Sequence, residues 1–95
     1  MAQKHILKLY IVGSNPASEL ALKNLKELIA QETDTVFELE VIDVRKNLQL
    51  AEDDKILAIP TLLQKLPEPL RKIIGDLSNK EKVLLGLDIV SQIKK

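Results

Sequence analysis

Few side chains in this sequence are of the types that do chemistry, and their spacing decides what they can do. His5 is the only histidine and stands beside Lys4 near the start. A metal centre would need further ligands around it, and a catalytic triad would need a placed nucleophile. His5 therefore reads as a surface residue. Glu52, Asp53 and Asp54 are consecutive and precede Lys55. Calcium loops space their carboxylates and turn on a glycine, so this cluster reads as a solvated helix face. Gly75-Asp76 reads as a turn into Leu77-Ser78, and no Gly-rich phosphate loop occurs. Cysteine is absent, which excludes disulfides, thiolate catalysis and Cys-ligated metal. No catalytic pair, metal site or cofactor site is expected, and the chain is not expected to be an enzyme. What remains is a basic set. Lys46, Lys55, Arg71 and Lys72 flank a short helix and a hairpin, where they could line one edge and meet an acidic partner surface.

The elements that must carry these residues fit within one domain, residues 1–95, with 14 basic and 14 acidic side chains and zero formal net charge. A chain of this length buries one modest core, and its stability is correspondingly limited. Balanced charge gives no basic field to attract nucleic acid or an anionic membrane. Tyr10 and Phe37 are the only members of the Phe, Tyr and Trp set, too few for stacked-base recognition. The sequence shows no signal peptide or membrane span, and its lack of cysteine fits a cytoplasmic location.

Ile6 to Val12 is an apolar run interrupted only by Lys8 and reads as a buried strand. In the turn that follows, Asn15 can cap a helix and Pro16 can open it. The helix runs to about Gln31, with Ala21, Leu22, Leu25, Leu28 and Ile29 on one face. Thr33-Asp34-Thr35 breaks it. Phe37, Leu39 and Val41 then alternate with Glu38 and Glu40 as a half-buried strand, extended by Ile42 and Val44. This order predicts a right-handed parallel β-α-β unit. Lys46 to Lys55 is expected to form a short helix with Leu48 and Ala51 or Leu50 facing inward. Thr61 to Leu63 and Arg71 to Ile74 are short strand candidates after Pro60 and Pro69. Ser78 and Glu81 have capping-box spacing, which predicts a helix start near Asn79.

Val83 to Ile93 fits two periods. As a helix, Val83, Leu84, Leu87 and Val90 share a face while Leu85, Ile89 and Ile93 fall largely off it. Gly86 then costs about 1 kcal/mol relative to alanine. As a strand, Leu85, Leu87 and Ile89 alternate with Gly86, Asp88 and Val90. A buried helix with a tolerated glycine accounts for the pattern; so does a segment able to serve two packings separated by a few kcal/mol. Pro60, Pro67 and Pro69 supply three X–Pro bonds. They are turn makers by default, and their cis–trans exchange is slow enough to gate a rearrangement.

The order strand, helix, strand, helix, Ile-Pro-Thr, hairpin and helix matches the thioredoxin layout. The loop where that fold carries paired redox cysteines is Gly13-Ser14-Asn15-Pro16-Ala17-Ser18 here, and serine cannot cycle as a disulfide. The stretches LKLYIVGSNPAS (7–18), VIDVRKN (41–47), LAEDDKILAIPTL (50–62) and RKIIGDLSNKEKVLLGLD (71–88) resemble the KaiB family over nearly the whole chain.

That resemblance implies an α/β, metamorphic protein. A ground-state KaiB fold, commonly tetrameric, exchanges slowly with a monomeric thioredoxin-like fold. The two share the N-terminal half and differ in the C-terminal half. The ground state is the form expected to be trapped. The thioredoxin-like form binds the N-terminal ATPase ring of a KaiC-type ATPase, then captures KaiA or competes with a histidine kinase, in circadian timing or stress adaptation. Self-association as a dimer or tetramer is expected, with no nucleic acid or membrane partner. Lys8, Lys46, Lys55, Arg71 and Lys72 match basic family positions implicated in partner contact. Leu20 stands where clock members carry arginine, Leu48 where the family usually has proline, and Gln64-Lys65 displaces a basic residue. Pro60, Pro67, Pro69, Gly86 and Asp88 are the expected fold-switch residues. Gly86→Ala is expected to stabilise the last helix by up to roughly 1 kcal/mol. Asp88→Arg should also help by placing a cation near a helix C-terminus.

Overall fold

The first apolar run becomes β1 (Lys4–Ile11) in a computed structural model that describes residues 4–89. Asn15 accepts from the Ser18 N–H and Pro16 is the first helical residue, so α1 (Pro16–Gln31) starts as its sequence dictates. β2 (Val36–Asp43) returns parallel to β1, from Lys4 opposite Val36 to Ile11 opposite Asp43. A 3-10 turn (Val44–Lys46) leads into α2 (Leu48–Asp53). β3 (Thr61–Leu66) is antiparallel to β1 and to β4 (Arg71–Ile74), and α3 (Lys80–Gly86) closes the described chain. The sheet order is β2-β1-β3-β4.

Two clusters sandwich the sheet. On one face Leu7, Leu9 and Leu62 meet Ala21, Leu25 and Leu28 of α1 and Val83, Leu84 and Leu87 of the last segment. On the other, Tyr10, Ile42 and Leu63 meet only Ala51 of the short α2, with Val44, Ile56 and Ile59 packed around them. Register places Ile6, Lys8, Leu63 and Lys72 on this second face. The β1–β3 register shifts between Ile6 and Leu7, because Lys65 is an extra residue opposite that step.

This is the thioredoxin-like layout, not the ground-state fold expected to be trapped. The last segment shows why the strand period loses. Leu85 is 78% exposed, whereas Leu87 and Ile89 are buried, so the three do not share a face. The helix stops at Gly86 through a Schellman motif. The Ile89 N–H donates to the Leu84 carbonyl (2.9 Å) and the Asp88 N–H to the Leu85 carbonyl (3.1 Å), with Asp88 at φ 60°. That left-handed residue turns Ile89 back into the core, although the helical period left it outside. Val90 and Ile93 lie outside the described residues.

Several other expectations are corrected. The α3 cap is Asn79, whose side chain accepts from the Lys82 N–H, while the Ser78 N–H is held by Asp76. Leu48 is 68% exposed rather than inward, because a six-residue helix can bury only one narrow face and Ala51 takes it. β3 runs to Leu66, beyond the expected Leu63, because β1 pairs with it that far. His5 is buried, 2% exposed. It hydrogen-bonds Gln64 (2.6 Å) and lies against the Phe37 ring. The Gln64 amide in turn donates to the Leu87 carbonyl (3.2 Å), tying the end of α3 to the sheet.

Gly86 and Asp88 carry more than helix propensity. A Cβ at Gly86 would lie 2.7 Å from Ile73 Cδ1, so that side chain must turn away and offset part of the helical gain. Asp88 lies beside Arg71 (3.9 Å) in the left-handed region. Arginine there would meet a like charge and a less tolerant backbone.

Candidate partner-binding surface

The second face of the sheet is the better place to look for a site, because α2 covers only one end of it. Tyr10, buried in β1, needs a partner for its hydroxyl. It donates to the Asp54 carboxylate and, at 3.3 Å, to the Leu50 carbonyl. Lys65 Nζ donates to the other Asp54 oxygen (3.0 Å), and Lys8 Nζ lies 3.7 Å away. Burial pushes the Tyr10 hydroxyl far above its ordinary pKa, and the Asp54 carboxylate pushes it further. Burial also works to raise Asp54, but the Tyr10 and Lys65 hydrogen bonds and the Lys65 and Lys8 charges outweigh it, holding the carboxyl below its ordinary value. The phenol thus stays neutral and the carboxylate charged. The network fastens α2 to the sheet and holds two lysines.

α2 ends in a second Schellman motif. The Ile56 N–H donates to Ala51 (2.9 Å) and the Lys55 N–H to Glu52 (3.0 Å), with Lys55 at φ 56°. Lys72 Nζ donates to the Lys55 carbonyl (3.0 Å). Of the five sequence-predicted basic residues, the structure therefore joins Lys55 and Lys72. Lys8 lies in the same cross-sheet row as Lys72, through Leu63, but it is held by Asp54. Arg71 points to the opposite face, toward Asp88. Lys46 sits before α2, at the end away from Lys55. Among the described residues, Lys46, Lys55 and Lys72 form no ion pair. Around them stand exposed aliphatics: Leu57 (95% exposed), Ile74 and Leu48. Sequence reasoning missed these aliphatics and the part played by Asp54. The one available signal was a tyrosine inside a buried strand, which needs a polar partner.

The first loop carries no chemistry. The buried Ser18 hydroxyl accepts from the Val12 N–H (3.1 Å). Asp43 accepts from the Gly13 N–H (3.3 Å), and Arg45 donates to the Gly13 carbonyl (2.9 Å). These side chains brace the loop. Among the described residues no cluster of three or more His, Cys, Asp or Glu side chains could hold a metal, and no helix is long and apolar enough to cross a membrane.

Fold and surface together define a cysteine-free, thioredoxin-like protein with an exposed basic and aliphatic patch beside α2. The chain matches the KaiB domain over residues 8–89. It is 59% identical to the circadian clock oscillator protein KaiB of Trichodesmium erythraeum, over 95% of this chain and 86% of that one. It is 56% identical to the circadian clock oscillator protein KaiB of Thermosynechococcus vestitus, over 95% of this chain and 83% of that one. The chain belongs to the KaiB family. Among solved structures, the N-terminal domain of Synechococcus elongatus SasA matches with a TM-score of 0.71 and 29% identity, over 90% of this chain and 82% of that one. Mitochondrial thioredoxin 3 of Saccharomyces cerevisiae matches with a TM-score of 0.72 and 20% identity, over 88% and 76%. The thioredoxin likeness concerns the fold alone.

Proposed function

We propose that this chain is a non-enzymatic regulator in a circadian or stress-adaptation system. It binds the N-terminal ATPase ring of a KaiC-type ATPase in the thioredoxin-like arrangement, after a slow switch from a self-associated ground state. The carrying observation is the arrangement itself. In a KaiB-family chain it gathers Lys55, Lys72, Leu57 and Ile74 around the α2–β3 connection and the edge strand β4. Unpaired cations beside exposed aliphatics suit a partner whose acidic rim surrounds an apolar patch. Lys46 lies at the far end of α2, whereas Lys8 is held by Asp54 and Arg71 lies on the opposite face, so these three are secondary candidates for partner contact. The residues proposed to govern the switch, Pro60, Pro67, Pro69, Gly86 and Asp88, all lie in the C-terminal half. If the binding arrangement makes up about 1% of the population, apparent affinity falls about a hundredfold and refolding limits the rate. Such a complex then recruits KaiA or displaces a histidine kinase.

Gel filtration with light scattering tests this reading, alone and after long incubation with a KaiC hexamer and ATP. The expected result is an oligomer that disappears over hours into a large complex, with Lys72→Glu weakening the product. An unchanged elution profile overturns it. A second reading, an interaction domain for a histidine kinase or response regulator, draws on the likeness to SasA, where the matching unit is one domain of a larger protein. Binding to such a protein without affinity for KaiC favours it.

A further inference from the structure

Glu32 caps the C-terminus of α1. Its side chain is 4% exposed, and its Oε2 is buried without a hydrogen-bond partner. The location is doubly unfavourable for a carboxylate, since burial removes water and the helix end contributes negative carbonyl charge. One cation faces it among the described residues. Lys80, the first residue of α3, brings its Nζ within 3.7 Å of Oε2 and also donates to Gln31. The pair therefore links α1 to α3 across the first face of the sheet.

We propose that Lys80 is a positioning residue, an electrostatic latch that seats α3 on α1 and so selects the arrangement that displays the partner surface. Glu32 makes the latch selective. When α3 leaves, the carboxylate loses its counter-charge, and any arrangement that displaces α3 must expose or neutralise it. The selecting role rests on the two-arrangement reading under Proposed function; the seating of α3 does not.

Hydrogen exchange of the Leu87, Asp88 and Ile89 amides tests the latch, because these donate to Val83, Leu85 and Leu84 only while the α3 end is wound. Lys80→Met should speed their exchange about tenfold or more, as expected when a buried charge loses its partner, and leave the β1 and β2 amides unchanged. Lys80→Arg should preserve protection. Adding Glu32→Gln to Lys80→Met should restore it, since the stranded charge is then gone. Unchanged exchange in Lys80→Met, failure of Glu32→Gln to rescue, or equal loss in every strand overturns the proposal. A chain with only one arrangement would show no slow change on gel filtration yet retain these exchange effects. The latch and the switch thus fail separately.

Discussion

The β1-α1-β2 half and the half from α2 onward are built on different terms. In the first, a 16-residue helix and two 8-residue strands follow their own sequence periods, and the helix is capped by its own residues. In the second, helices and strands span only 4 to 7 residues. Among the described residues, three of its non-glycine residues, Lys55, Leu77 and Asp88, have positive φ, against Ser14 alone in the first half. Large exposed aliphatics are also more numerous there, including Leu57, Leu70, Ile74 and Leu85. Short elements cannot stand alone. The second half holds its shape through contacts with the first, notably Gln64 to His5, Asp54 to Tyr10, and Lys80 to Glu32. The difference teaches that one region is specified locally and the other conditionally, through the contacts it makes with its neighbour.

The sharpest way to break that comparison is to cavitate each side of the sheet. Leu25→Ala empties the cluster shared by α1 and α3 and should cost about 3–4 kcal/mol in urea unfolding; Leu63→Ala, in the smaller cluster under α2, should cost about 2 kcal/mol. Equal losses would mean that the two faces contribute alike. Next, Gln64→Leu should cost about 1–3 kcal/mol, because it leaves His5 and the Leu87 carbonyl without their partner. The loss should appear first as faster amide exchange in α3. A gain is expected from Asp88→Gly, about 0.5–1 kcal/mol by thermal unfolding, since glycine accepts the left-handed position freely. A loss there would mean that the Arg71 pair outweighs backbone strain.

The smallest effects are those of pH. The folded-state pKa of Asp54 is depressed, so its contribution is present above about pH 4 and is lost as pH falls through the lower folded value. The folded-state pKa of Tyr10 is raised. Its contribution is present below about pH 10 and is lost as pH rises toward the folded value. Urea unfolding across pH should show both limbs, and Asp54→Asn should flatten the acid one.

This asymmetry also sets what the sequence made legible. β1, α1 and β2 were readable because period and caps agree over many residues. The Ala21, Leu25 and Leu28 face packs as its spacing predicts. The start of α3 was readable to within one residue, but its end was not, because a left-handed aspartate leaves no signal in hydrophobic period. His5 was misread because its burial depends on Gln64 and Phe37, far along the chain. Leu48 was misread because so short a helix defines no face. Asp54 looked like its solvated neighbours Glu52 and Asp53, and only tertiary structure brings Tyr10, Lys65 and Lys8 to it. Of the basic set, the grouping of Lys72 with Lys55 was not legible, because it follows from strand register and from the turn that ends α2.

Both C-terminal helices end on a residue that tolerates the left-handed region without being the best choice for it, Lys55 in one and Asp88 in the other. Aspartate and glycine codons differ by a single base, as do those of lysine and asparagine, the other residue favoured at such positions. A lineage could therefore retune how firmly each helix end is wound by one point mutation, leaving every core contact in place. Under the proposed switch, these two codons act as a heritable adjustment of tempo.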